Sequence, residues 1–131
     1  MSDIYTIPRE KIRQLESLLQ AENIDALLIL SREGGDKTLP FLTGADTVDL
    51  AAVFFTKEGE HTVITSIPNE KKYLESGIFA RVMSYDKRLS EHFSRVFDGI
   101  NPKRLALNIS ENDAVSDQLS LGLYHMLEGL I

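Results

Sequence analysis

Ala26-Leu27-Leu28-Ile29-Leu30 is the longest uninterrupted aliphatic run in the chain, and it limits the fold more than any other segment. A run this short, with no polar alternation, reads as a strand buried on both faces rather than as a helix. A strand covered on both sides needs a layer of helix above the sheet and another below it. The rest of the sequence supplies those helices. Pro8 to Glu22 places Ile12, Leu15, Leu18 and Leu19 on one stripe, with Pro8 suited to a first helical turn and Asn23 to a left-handed stop. Leu89, Phe93, Val96, Phe97 and Ile100 form a second stripe, expected to close at Gly99 and Pro102. Val115, Leu119, Leu123, Met126, Leu127 and Leu130 form a third, with Ser110 to Asp113 offering caps and negative charge at its start. Pro68 to Ser76 reads as a shorter helix, with Ser66 as cap and Gly77 as stop.

Further strands fall at Leu50 to Thr56 and His61 to Thr65, joined by a KEGE turn as an antiparallel hairpin, and at Phe79 to Tyr85 and Arg104 to Ile109. The resulting order, α-β-β-β-α-β-α-β-α, predicts an α/β domain with a mixed sheet of about five strands. At 131 residues the chain is most simply one domain, large enough for a core without disulfides, and it contains no Cys. That removes thiolate metal sites and cysteine nucleophiles and is consistent with a reducing cytoplasm. The formal charge of −6 comes with no basic stripe, which argues against nucleic acid as a partner. The N-terminus MSDIYTIPREK lacks a signal peptide's charged and apolar regions, and no segment is apolar for long enough to span a bilayer as a helix.

The loop after the first strand, Ser31 to Gly44, superficially resembles a phosphate-binding loop because Gly34-Gly35 precedes Lys37-Thr38. Ser31 stands where the first glycine belongs, Asp36 precedes the lysine, and Pro40 interrupts the helix that should follow, so that reading fails. A charged, glycine-hinged loop at the C-terminal end of a sheet strand is nevertheless where open α/β sheets place their ligands. His61, His92 and His125 are widely separated and read as surface or interface residues, not as metal ligands. Asp46 and Asp49 read as solvated loop acids, and Asn108 to Leu119 lacks the glycine and glutamate of a calcium loop. The chain shows no catalytic centre of its own.

The segments NIDALLIL (Asn23 to Leu30) and GDKTLPFLTG (Gly35 to Gly44), followed by the hairpin AAVFFTKEGEHTVIT and by ISENDAVSDQLSLGLYHML, resemble the N-terminal domain of the creatinase and prolidase family. Leu42, Thr43 and Gly44 carry the family's loop motif, with Phe41 in place of its tyrosine and Thr38 near its usual asparagine. The resemblance covers nearly the whole chain. It implies a three-layer α/β/α domain with a ribonuclease H-like motif. It implies that residues 1–131 accompany a separate C-terminal pita-bread catalytic domain, absent from this chain, in which two divalent metal ions (Mn, Co or Zn) activate water. The apolar end at Leu130-Ile131 is where that domain is expected to begin.

For the parent protein, the resemblance implies an Xaa-Pro dipeptidase or aminopeptidase acting on short proline-containing peptides in the cytoplasm. A creatinase-like amidinohydrolase, or a binding module with a dead peptidase fold, are the alternatives. The domain itself is expected to be non-catalytic, to help form a homodimer, and to restrict substrate length through the loop after the first strand. Arg32, Asp36 and Lys37 are the candidate gating residues, whose charges would pair with the termini of a short peptide.

Overall fold

The computed structural model describes residues 6–32, 39–43, 49–108 and 119–131. Helix α1 (Thr6–Glu22) leads into β1 (Ala26–Ser31), and a short helix α2 (Leu39–Thr43) follows. Strands β2 (Ala51–Thr56) and β3 (Thr62–Ser66) form the hairpin. A 3₁₀ turn (Ile67–Asn69) then opens α3 (Glu70–Ser76), which is followed by β4 (Arg81–Tyr85), α4 (Ser90–Ile100), β5 (Leu105–Leu107) and α5 (Leu121–Leu130). The five strands lie in the order β4-β3-β2-β1-β5. β2 runs antiparallel to both β1 and β3, whereas β4 is parallel to β3 and β5 is parallel to β1. The sheet is therefore mixed, as the hairpin predicts.

The two faces of the sheet explain the unbroken aliphatic run. Leu28 and Leu30 point with Ala52, Phe54 and Ile64 into one core, closed by Phe93 and Val96 of α4 and Leu123 and Leu127 of α5. Ile29, with Val53, Phe55 and Val63, points the other way, beneath Ile12 and Leu19 of α1, Leu39 of α2 and Tyr73 of α3. β1 thus feeds two cores, and the architecture is α/β/α in three layers. Burying each large apolar side chain contributes about 1.5–3 kcal/mol, so these paired cores are the main source of stability. In the first core Phe93 meets Phe54 and stacks on Phe97, with ring centroids 5.5 and 5.8 Å apart.

Several local expectations change. Pro40 lies within the first turn of α2, where a missing N–H costs nothing, so it does not prevent a helix. Leu18, placed on the buried stripe of α1, is 57% exposed, because Ile12, Leu15 and Leu19 already fill the contact with the sheet. Asn101, with φ 48°, ends α4 in the left-handed conformation; Gly99 lies inside that helix. Ser66 makes no capping bond. The last helix begins at Leu121 with Ser120 as its cap, accepting from the Leu123 N–H at 3.2 Å. Leu119 still packs in the core from outside that helix, and the expected caps Ser110 to Asp113 lie outside the described residues. β4 and β5 are shorter than expected, and Phe79 packs against Tyr73 and Phe55 rather than joining the sheet. Asn23 (φ 54°) and Gly77 (φ 68°) end their helices as read from the sequence.

Candidate functional site

The register brings the C-terminal ends of β1, β3 and β4 to one end of the sheet, together with the start of β2. Ser31 pairs with Ala51, and Ser66 pairs with Tyr85. This is the loop end, and the expected gating segment leaves from it. Arg32 follows β1 directly and is exposed. Asp36, Lys37 and Gly44 lie outside the described residues, as does Asp46. Of the family motif, Leu42 is half-buried against the core below α1, and Thr43 is fully buried with its Oγ1 donating to the Leu39 carbonyl at 3.0 Å. Leu42 and Thr43 therefore anchor the loop, and Arg32 marks its exposed start.

A polar cluster that sequence reading passed over closes the other side of this loop. Ser66 Oγ donates to Asp49 Oδ2 at 2.7 Å, and Asn69 Nδ2 donates to the same oxygen at 3.3 Å and to Ser66 Oγ at 3.1 Å. Beside them, the Tyr85 hydroxyl donates to the Leu50 carbonyl at 2.6 Å. Burial of the phenol, with the negative charge of Asp49 adding to it, raises its pKa and keeps that donor protonated. Asp49 is thus a hydrogen-bonded tie between the start of β2 and the β3–α3 connection, not a bare acid. At the adjoining β5 strand, Asn108 accepts from the Leu119 N–H at 2.9 Å through its carbonyl. Nothing in the spacing of residues 49, 66 and 69 signals this cluster; only the hairpin register brings them together.

Catalytic geometry is missing from this arrangement. The cluster holds no histidine, and a Ser–Asp contact without a base does not activate a nucleophile. His61 lies at the opposite end of the sheet and corrects the surface assignment: it is 1% exposed. Its Nδ1 accepts from the Thr56 N–H at 3.0 Å, which puts the ring proton on Nε2, 2.7 Å from Glu16 Oε1. His92 Nε2 donates to the Ser84 carbonyl at 3.0 Å, and exposed His125 pairs with Glu128 at 3.2 Å. Among the described residues, no three His, Asp or Glu side chains gather so as to hold a metal ion. Two divalent ions of the kind the resemblance implies therefore do not fit the described part of this chain. No described helix is long and apolar enough to cross a membrane.

No protein-family model matches the sequence, and no curated protein matches it. Solved structures do match the fold. The N-terminal domain of Xaa-Pro dipeptidase from Lactobacillus brevis superposes with a TM-score of 0.69 at 14% identity, covering 92% of this chain and 87% of that one. The creatinase/prolidase N-terminal domain of an X-Pro dipeptidase from Streptococcus pyogenes gives 0.71 at 13% identity, over 93% and 88%. An X-Pro aminopeptidase from Thermotoga maritima gives 0.71 at 16% identity, and there the match spans 92% of this chain but 31% of the enzyme. The chain has the fold of creatinase/prolidase N-terminal domains, as its strand and loop motifs imply.

Proposed function

We propose that this chain is the non-catalytic N-terminal domain of an Xaa-Pro dipeptidase or aminopeptidase, and that it acts by supporting a homodimer and gating substrate length. The observation that carries this reading is the fold match over more than nine-tenths of the chain to domains of enzymes so named. In this reading the catalytic centre belongs to a separate domain of the parent enzyme. There, two divalent ions would supply the activated water; this chain would supply shape and charge at the entrance.

Within that reading the division of labour follows from the loop end. Leu42 and Thr43 hold one side of the 32–50 segment, and the Asp49–Ser66–Asn69 cluster holds the other. The charged residues that precede Leu42 in the sequence, exposed Arg32 and then Asp36 and Lys37, would meet a peptide's termini. A carboxylate entering a confined site needs a charge-assisted partner, and Arg32 provides one while Asp36 would receive the ammonium end. Both ends are engaged together only by a short peptide. The proposed setting is cytoplasmic, with short proline-containing peptides as the parent's substrates.

The test uses the full-length enzyme carrying this domain. Arg32→Ala and Asp36→Ala should lower kcat/KM for an Xaa-Pro dipeptide by about tenfold, the cost of one lost charge-assisted contact, while sparing a tripeptide. Unchanged dipeptide kinetics and unchanged chain-length preference in both variants would show that the loop gates nothing. An enzyme with no Xaa-Pro activity at all would instead sink the peptidase assignment.

A further inference from the structure

A second concavity lies at the opposite end of the sheet, between α1, the β2–β3 turn and the connection from α3 to β4. It is a cleft of about 230 Å³ lined by Arg9, Arg13, Glu16 and His61, with Ile12 and Ile78 as its apolar walls. Arg9, Arg13 and Glu16 are spaced at i, i+4 and i+7 along α1, which sets two guanidinium groups and one carboxylate in line on one helix face. On the far side, His61 and Ile78 bring side chains from the two turns, whereas the two glycines there bring none. Gly59 (φ 87°) and Gly77 (φ 68°) line the cleft, and a Cβ on Gly59 would stand 3.6 Å from Glu16 Oε1.

The charges are ordered rather than loose. The His61 Nε2–H holds Glu16 Oε1 at 2.7 Å, and the imidazole is itself fixed by the Thr56 N–H on its other nitrogen. Glu16 is therefore oriented from a buried floor, with Oε2 left to accept from a cation in the cleft. Arg13 makes no ion pair among the described residues, although Glu16 is one turn away. Arg9 is already engaged and frames the upper rim, its Nη2 3.8 Å from where a Gly77 Cβ would lie. The tautomer of His61 excludes a metal here, because its Nε2 carries a proton rather than a lone pair.

We infer that this cleft binds a small aliphatic α-amino acid as its zwitterion. Arg13, flanked by Arg9, takes the carboxylate; Glu16 Oε2 takes the ammonium group; Ile12 and Ile78 contact the side chain. The volume lies below the range of drug-sized pockets and suits a ligand of single-residue dimensions. The site is at the far end of the sheet from the gating loop and does not depend on the proposed peptidase role.

The test is a titration of the 131-residue chain with L-leucine, followed through the amide signals of Gly59 and Gly77 in 1H–15N spectra. Saturable shifts are expected, with N-acetyl-L-leucine and L-leucinamide each binding about tenfold more weakly because each lacks one of the two charges. Arg13→Ala should weaken leucine by about tenfold and leave leucinamide unchanged. Glu16→Gln keeps an acceptor for His61, so the fold is preserved; it should weaken leucine and leave N-acetyl-leucine unchanged. The inference is overturned by the absence of saturable shifts up to about 50 mM leucine, far above any useful affinity. Equal binding of either capped form, or wild-type affinity in either variant, overturns it as well.

Discussion

The two ends of the sheet are built on different terms. At the turn end, polar side chains are bonded to main chain across distant segments. Asp25 Oδ2 accepts from the Lys103 and Arg104 N–H groups at 2.8 and 3.0 Å, while Oδ1 lies 3.0 Å from Lys57 Nζ. His61 binds the Thr56 main chain and a side chain of α1. All four residues with positive φ among those described, Asn23, Gly59, Gly77 and Asn101, lie at this end. At the loop end, Asp49, Ser66 and Asn69 bond chiefly to one another, and the connection from β1 to β2 takes up residues 32–50. One end ties distant segments of main chain together; the other ties the start of β2 to the β3–α3 connection through side chains alone. Function on open α/β sheets is usually carried by ends of the second kind.

If that contrast is right, the largest stability loss comes from the turn end. His61→Ala removes the acceptor of a buried N–H and opens a cavity beside Phe55, whose ring centroid is 5.3 Å from the imidazole. Together these should cost about 3 kcal/mol, read as a lower midpoint in urea denaturation. A loss near zero would mean that the hairpin is fixed by its core residues alone.

The next effect at the turn end is confined to acid. Hydrogen bonds from the Arg104 N–H, Lys57 and the Lys103 N–H lower the Asp25 pKa from 3.8 to about 2. The unfolded chain therefore takes up this proton first as pH falls. The stabilisation from Asp25 is complete above the unfolded value of 3.8 and is lost as pH drops through about 2. Asp25→Asn should be less stable than the parent at neutral pH and lose less stability between those two values. Thermal melts across that window check this; parallel pH profiles for the two proteins would show that the network contributes nothing through charge.

The sequence disclosed the layers more readily than the polar ties. The run Ala26 to Leu30 announces a strand with two buried faces because apolar patterning is local and periodic. Asn23, Gly59 and Gly77 announce chain reversals because few residues tolerate positive φ. The missed features depend on tertiary register. His61 meets Glu16 across 45 residues and Asp25 meets Arg104 across 79, and no spacing rule connects such pairs. α2 escaped notice because its five residues are too short for a helical stripe and Pro40 reads as a breaker. The motif residues Leu42 and Thr43 stood out in the sequence as a family likeness, whereas their packing against the core below α1 became visible only with the fold. The tether at Asp49 became visible only with the fold.

The smallest expected effect tests the loop end directly. Ser66→Ala deletes the 2.7 Å donor to Asp49 Oδ2 and the acceptor that Asn69 Nδ2 reaches at 3.1 Å. Asn69 keeps its 3.3 Å bond to the carboxylate, and Asp49 is exposed, so water can replace the lost donor. The net cost should be about 0.5–1 kcal/mol, the ordinary worth of a hydrogen bond whose partner stays solvated. Because the cluster fixes the end of the 32–50 segment, amide exchange at Asp49 and Leu50 should speed up while Val53 and Phe54 stay protected. A loss approaching that of His61→Ala, or faster exchange through all of β2, would make the cluster part of the core's cooperative unit. The loop end would then be as tightly specified as the turn end, and a gate that moves independently of the sheet would have no physical basis.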